Sequence, residues 1–290
     1  MGCTACPRKC NTVRAKQVGF CGVGSAFRVA RAALHQWEEP CISGVNGSGT
    51  VFFSGCNLRC AFCQNYEISH GCFGKDVTDD RLCVIFDELI AAGAHNLNLV
   101  NPTHYAERLI RVLRDYKSPV PVVWNSSGYE SVETLRTLEG LVDVWLPDYK
   151  YSRPDRALAY AGAADYPETA LAAIAEMHRQ QPEDVFEDGL LKKGMIIRHL
   201  ILPKNTNSSV EILRQIADRF GTKTIVSLMA QYTPCGDLAR FPELRREITA
   251  REYDKVLAEL ERLGFENAFV QERTAADESF IPPFDLTGVE

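Results

Sequence analysis

No stretch of this chain reaches the roughly 18 consecutive apolar residues that a membrane-crossing helix requires. Residues 1–20 hold Cys, Arg and Lys where a secretory leader would carry an apolar core. Neither membrane insertion nor secretion is expected, and a cytoplasmic location is. An excess of basic charge is also missing: 32 Lys and Arg against 38 Asp and Glu give a net charge of −6. No global field therefore recommends nucleic acid as a partner. Nor does the chain have the low hydrophobicity of a disordered segment, since 46% of its 290 residues are hydrophobic and 24% charged, enough to bury a large core. The paired cysteines of a disulfide scaffold are absent too. There are 11 cysteines, an odd number, and a reducing compartment does not keep disulfides.

What the chain does have is thiols that need another purpose, and most fall into two groups. Cys56, Cys60 and Cys63 stand in GCNLRCAFCQN at spacing CxxxCxxC, directly after the apolar, β-branched run Thr50-Val51-Phe52-Phe53-Ser54. A cuboidal [4Fe-4S] cluster has four irons, and proteins that only carry electrons usually give each iron its own cysteine. Three thiolates leave the fourth iron open to a small molecule. The second group, Cys3, Cys6, Cys10 and Cys21, forms CxxCPRKC followed by GFCG. Four ligands close a coordination sphere, which suits structural zinc or an accessory Fe-S cluster. The glycines around Cys21 suit a tight metal-binding turn, and spacing does not choose between the two metals. Of the remainder, Cys83 in the apolar run from Leu82 to Phe86 reads as a small core residue. Cys41 and Cys72 have no partner at short ligand spacing. Cys235, in QYTPCGD, is a candidate thiol hydrogen-atom donor or extra metal ligand, with a passive loop role as the plainer alternative.

Periodicity limits the fold. After a strand at 50–55, Leu82, Ile85, Phe86, Leu89 and Ile90 at helical spacing predict a helix near 80–93. Strands are then predicted at 96–100, 120–124, 142–146, 195–202 and 223–229. Helices are predicted at 104–116, 131–139, 167–181 and 208–220, and a closing helix at 249–264. Six strands alternating with helices imply a parallel sheet with right-handed crossovers. The expected fold is α/β, a partial (β/α)6 TIM-like barrel with a small Cys-rich N-terminal extension. The expected division is 1–48 for that extension, 49–230 for the partial barrel and 231–290 for a closing segment.

Ligands of parallel α/β folds sit at the C-terminal ends of strands. The triplet, Asn101 to His104, Asn125 to Gly128, Asp148 to Lys150 and the residues after Leu202 all lie where a strand gives way to a loop. Pro102 and Gly128 are accounted for as turn residues. Asp148 and Lys150, an i, i+2 pair, could reach the same side. Arg198 and His199 share one strand and point to opposite faces, so one of them is expected to face the interior.

The triplet after the first strand, with Phe62 just before its third cysteine, resembles the radical S-adenosylmethionine (SAM) superfamily. More narrowly, EEPCISG at 38–44, GSGTVFFSGCNLRCAFCQNYEIS at 47–69, NLVNPTHY at 98–105 and MAQYTP at 229–234 resemble its uncharacterised, pyruvate formate-lyase activating enzyme-like branch. The resemblance covers roughly residues 1–275. It implies that Cys56, Cys60 and Cys63 bind three irons of a [4Fe-4S] cluster while SAM chelates the fourth. One electron would then cleave SAM to methionine and a 5′-deoxyadenosyl radical that abstracts hydrogen from a substrate. It places Phe62 near the adenine, and Asn101 and Thr103 at the second-strand position. Asn125 and Ser127 would meet the ribose or methionyl group, and Asp148, Lys150, Arg198 and His199 would be polar SAM or substrate contacts. Many family members end the second strand in a GGE motif that holds the SAM amino group; here Asn101-Pro102-Thr103-His104 stands there. His104 is a candidate proton donor or acceptor, or a helix-start histidine bonded to a neighbouring carbonyl.

The implied setting is anaerobic chemistry with a flavodoxin- or ferredoxin-like reductant and a protein or peptide substrate, the leading function being activation of a glycyl radical enzyme. Radical modification of a peptide or small metabolite is the alternative within enzymes. A two-centre Fe-S electron-transfer protein is the alternative of another class, and the incomplete ligand set of the triplet argues against it.

Overall fold

The computed structural model describes residues 2–272 and 282–290. Its sheet runs in the order β10-β9-β8-β6-β5-β4-β2-β1-β3, with β7 paired to β8. The strands are β1 (Phe27–His35), β2 (Ser48–Phe53), β3 (Lys75–Val77), β4 (Leu97–Val100), β5 (Val122–Ser126), β6 (Val144–Pro147), β7 (Val185–Glu187), β8 (Leu190–Leu200), β9 (Ile225–Met229) and β10 (Ala268–Val270). From β2 to β10 every neighbour along the path is parallel. The helices are α1 (Pro40–Ser43), α2 (Tyr66–Ser69), α3 (Asp79–Ala91), α4 (Ala106–Asp115), α5 (Val132–Thr137), α6 (Pro154–Ala161), α7 (Tyr166–Gln180), α8 (Thr206–Phe220) and α9 (Ala250–Leu263). Six βα units therefore form a partial TIM-like barrel, and β10 adds a seventh parallel strand. Among the described residues nothing pairs β10 with β3, so the barrel is open.

The central parallel strands are buried on both faces, which is why they read as near-continuous apolar runs. Every residue of β2, β4, β5 and β6 is buried. Alternation decides which side chain faces where. Val122, Trp124, Trp145, Ile197 and Val226 join the core between sheet and helices. Val123, Val144, Leu146, Ile196 and Ile225 form a separate inner cluster, plugged by Cys41 and Ile42 of α1. Cys41, which the sequence leaves without a role, is thus a packing residue whose thiol burial pushes up to about 12.

Three features depart from expectation. β1, inside the predicted extension 1–48, pairs antiparallel with β2, Ala32 opposite Val51. Residues 286 and 287 bond along it, Leu286 N–H to Ala30 O at 3.0 Å and Ala32 N–H to Thr287 O at 2.8 Å. β8 starts at Leu190, five residues before the predicted strand, because its first turn of chain pairs with the exposed β7 hairpin arm. Residues 273–281 of the predicted closing segment lie outside the described residues. No described helix is long and apolar enough to cross a membrane.

Candidate functional site

Two residues further along each strand, the inner face turns from apolar to polar. Val123 is followed by Asn125 and Ser127, Leu146 by Asp148 and Lys150, Ile196 by Arg198, and Ile225 by Ser227. These residues line a cavity of about 430 Å³ at the C-terminal strand ends. The inner apolar cluster precedes these polar residues along the strands, an apolar side of the cavity is Phe52, Ile68 and Val100, and Trp37, Gln231 and Gln271 also line it.

One wall is a buried charge network. Arg198 donates to Asp148 through Nε and to Glu38 through Nη1, both at 3.0 Å, and to Asn125 Oδ1 through Nη2. Glu38 also accepts from Asn98 at 3.0 Å and Asn125 at 3.1 Å. Lys150 Nζ meets the second oxygen of Asp148 at 2.5 Å. Burial alone would raise the Asp148 pKa, but Lys150 and Arg198 overcome it and hold the carboxyl below its ordinary value. Burial likewise works against the charge of Lys150, and Asp148 and the nearby thiols more than restore it. Glu39, beside this network, differs. Burial pushes its pKa up against the pull of Arg198, with Glu38 adding to the rise, and its Oε2 is buried without a hydrogen-bond partner.

The thiolate triplet shares this cavity, all three of its cysteines lining it. Arg59, held at φ +55°, turns the loop so that the N–H groups of Leu58 and Arg59 point at Cys56 Sγ, at 3.3 and 3.4 Å. Tyr151, one residue beyond Lys150, donates to Cys60 Sγ at 3.2 Å. Burial pushes the Cys60 thiol up to about 12, so a bound cation is what would hold it as thiolate. Among the described residues, no three of His, Cys, Asp and Glu are gathered tightly enough for a single ion. That spacing suits a cluster, in which each thiolate serves its own iron. The donor set fits a [4Fe-4S] cluster with one open iron. On the network side, Ser127 Oγ is buried and unpartnered at the cavity edge, ready for a ligand's hydrogen bond.

The predicted residues divide cleanly. Phe62, Asn101, Asn125, Ser127, Asp148, Lys150 and Arg198 line the cavity. Phe62 stands edge-on to Tyr151, Tyr160 and Tyr232, and Asn101, at φ +59°, donates from Nδ2 to the Gly55 carbonyl beside the triplet. Thr103, His104, His199 and Cys235 are not among the lining residues. Thr103 donates to buried Glu130 at 2.9 Å. His104 lies under β2 with Nε2 2.8 Å from the Ser54 carbonyl, and burial lowers its pKa to about 3. It is thereby placed as a neutral, structural histidine rather than a proton donor at the cavity. His199, opposite Arg198 on β8, bonds the Tyr149 carbonyl at 2.8 Å. Cys235 approaches the triplet loop from behind, its Sγ 3.2 Å from the Phe62 carbonyl. Sequence reasoning missed Glu38, Glu39, Tyr151, Gln231 and Gln271. The EEP run was the available signal for the first two, since paired acids before a short Pro-led helix are unusual for a plain turn.

Residues 43–159 match the family model described as a 4Fe-4S single cluster domain. An uncharacterised protein of Methanocaldococcus jannaschii is 28% identical over 273 residues, covering 91% of this chain and 75% of that one. Among solved structures, methylornithine synthase superposes with a TM-score of 0.50 at 14% identity over 71% of this chain. SuiB of Streptococcus suis superposes with a TM-score of 0.51 at 10% identity over 80% of it. The likeness to both is one of fold. This chain spans 59% of the length of the first and 50% of the second.

Proposed function

We propose that this chain is a radical SAM enzyme that cleaves SAM reductively in the cavity lined by Cys56, Cys60, Cys63 and the Asp148–Arg198–Glu38 network. The observation that carries the reading is one cavity lined both by three thiolates and by that charge network, and edged by an unsatisfied hydroxyl. A [4Fe-4S] cluster held by Cys56, Cys60 and Cys63 would supply the one-electron reduction that splits the sulfonium of SAM and so allows hydrogen abstraction from the substrate. The protein's own residues do the positioning. Cys56, Cys60 and Cys63 hold three irons and leave the fourth for the amino and carboxylate groups of SAM. Phe62 packs near the adenine, Ser127 and Asn125 donate to the ribose or methionyl group, and Lys150 and Arg198 balance the carboxylates. Phe52, Val100, Leu200 and Met229 line the space with apolar surface, which excludes the water that would waste a radical.

The electron comes from a flavodoxin- or ferredoxin-like donor, and the substrate is a protein that receives a glycyl radical, the reading supported by the activating-enzyme-like motifs. A peptide substrate is the second reading, favoured by SuiB, which on the same fold is bound to its precursor peptide. The test is anaerobic incubation of the reduced, iron-loaded protein with SAM and chromatography for 5′-deoxyadenosine. Formation above a Cys60→Ala control is expected. No excess over that control would overturn the proposal and leave the electron-transfer reading standing.

A further inference from the structure

Nothing in the reaction above uses the four cysteines before β1. Among described residues 2–26 there is no helix or strand; the segment is built from turns, two of which carry the cysteines. In the first, Cys3 N–H bonds Thr12 O at 2.9 Å, Asn11 N–H bonds Cys3 O at 3.1 Å, and Lys9 N–H bonds Cys6 O at 3.0 Å. In the second, Gly19 N–H bonds Val23 O at 3.1 Å and Gly22 N–H bonds Gly19 O at 2.9 Å, presenting Cys21. The turns face each other. A Cβ placed on Gly19 would stand 3.4 Å from Cys21 Sγ and 3.5 Å from Cys10 Sγ. Cys6 lies within coulombic reach of Cys3, Cys10 and Cys21.

This arrangement is costly for so small a segment. Lys9 and Asn11 adopt φ of +40° and +53°, conformations that side chains resist. Ala5 and Val23 are the buried apolar residues besides its cysteines, too small a core to hold two turns together, and small uncored segments are held by staples. We infer that Cys3, Cys6, Cys10 and Cys21, which as they stand are not gathered tightly enough for a single ion, bind a thiophilic metal centre, either a closed Fe-S cluster or one zinc over which the two turns would draw together, and that this centre braces the back of the loop carrying Cys56.

The contacts for bracing come from residues at or beside the cysteines. The Cys21 carbonyl accepts from Cys56 N–H at 3.1 Å. It comes so near that a Cβ on Gly55 would lie 2.7 Å from it. Phe20 O accepts from Arg59 at 3.3 Å. Arg8, between Cys6 and Cys10, donates to Asn57 O at 2.9 Å, Ala161 O at 2.8 Å and Gly162 O at 2.6 Å, tying the loop to the end of α6. The inference stands apart from the radical chemistry, because it concerns thiolates the cavity does not contain.

Metal and sulfide analysis of the anaerobically purified full chain tests it. The wild type is expected to hold either about four irons and one zinc or about eight irons; about four irons with no zinc would overturn the site. A Cys56→Ala/Cys60→Ala/Cys63→Ala variant is expected to keep one zinc, or about four irons with sulfide, with sulfur-only ligation by X-ray absorption. Folded variant protein holding neither metal would overturn the site as well. The brace is read by hydrogen exchange in peptides spanning 55–60, expected to quicken about tenfold in Cys3→Ser/Cys10→Ser and in Arg8→Ala, the latter keeping the metal. Exchange unchanged in both would overturn the brace and leave the metal site.

Discussion

Arg198 donates from three nitrogens to three side chains, Asp148, Glu38 and Asn125, where a lysine ammonium would reach fewer of them in that planar geometry. Arg198→Lys is therefore expected to cost about 1–3 kcal/mol in urea unfolding by leaving a buried acceptor unpaired. A wild-type midpoint would show that the network is wetter than its burial indicates. The two carboxylates here move in opposite directions with pH. Asp148 sits below its ordinary value, so its contribution is present above about pH 4 and is lost as pH falls through the folded value. Glu39 sits above its ordinary value, so its contribution is present at low pH and is lost as pH rises through the folded value. Glu39→Gln should accordingly gain on the wild type between about pH 5 and about pH 8 in urea midpoint. A difference that does not change with pH would show that Glu39 ionises alike in both states. At this scale the sequence was legible where strand alternation applied, as in the split between Arg198 and His199. Glu38 carried only the local EEP signal and Tyr151 none, because their partners lie 160 and 91 residues away and no local pattern encodes that pairing.

At the scale of elements, the ends of β5 and β6 are fixed to each other by α7. Tyr166, its first residue, places its hydroxyl 2.9 Å from the carbonyls of Ser127 and Asp148 and accepts from Lys150 N–H at 2.8 Å. Gly128, at φ +72°, lets the two strands meet, since a Cβ there would stand 2.5 Å from Asp148 O. Tyr166→Phe would leave the Lys150 N–H unpaired at a cost of about 1–3 kcal/mol. Gly128→Ala would add backbone strain on the order of 1–3 kcal/mol. Both should lower the thermal midpoint; a Gly128→Ala protein melting with the wild type would mean that the turn relaxes freely. Gly128 was legible as a turn, but the carbonyl pressed against it was not, since that belongs to another strand. The central strands were legible because burial on both faces leaves long apolar runs. β1 was not, because Arg28 and Arg31 interrupt it on the outer face where Asp76 and Asp285 pair with them.

For the whole molecule, alternation of strands and helices gave the partial barrel, whereas the meeting of a charge network and the thiolates in one cavity emerges only when the sheet curves. That curvature makes ligand binding a matter of global stability, because the cavity draws on β2, β4, β5, β6, β8, β9 and β10 at once. A ligand that binds only the folded state stabilises it by about 2.7 kcal/mol at a hundredfold excess over its Kd. For a chain of this size that corresponds to a rise of about 5–10 °C in thermal midpoint. SAM is expected to produce such a shift in the iron-loaded protein. Ser127→Ala should reduce it by raising the SAM concentration needed, since the hydroxyl has no partner in the protein to lose. Cys56→Ala/Cys60→Ala/Cys63→Ala should reduce it further, by removing the iron that would take the amino and carboxylate groups. Equal shifts in all three proteins would place SAM outside this cavity, and no shift in the iron-loaded wild type at any SAM concentration would remove SAM from the account of the site.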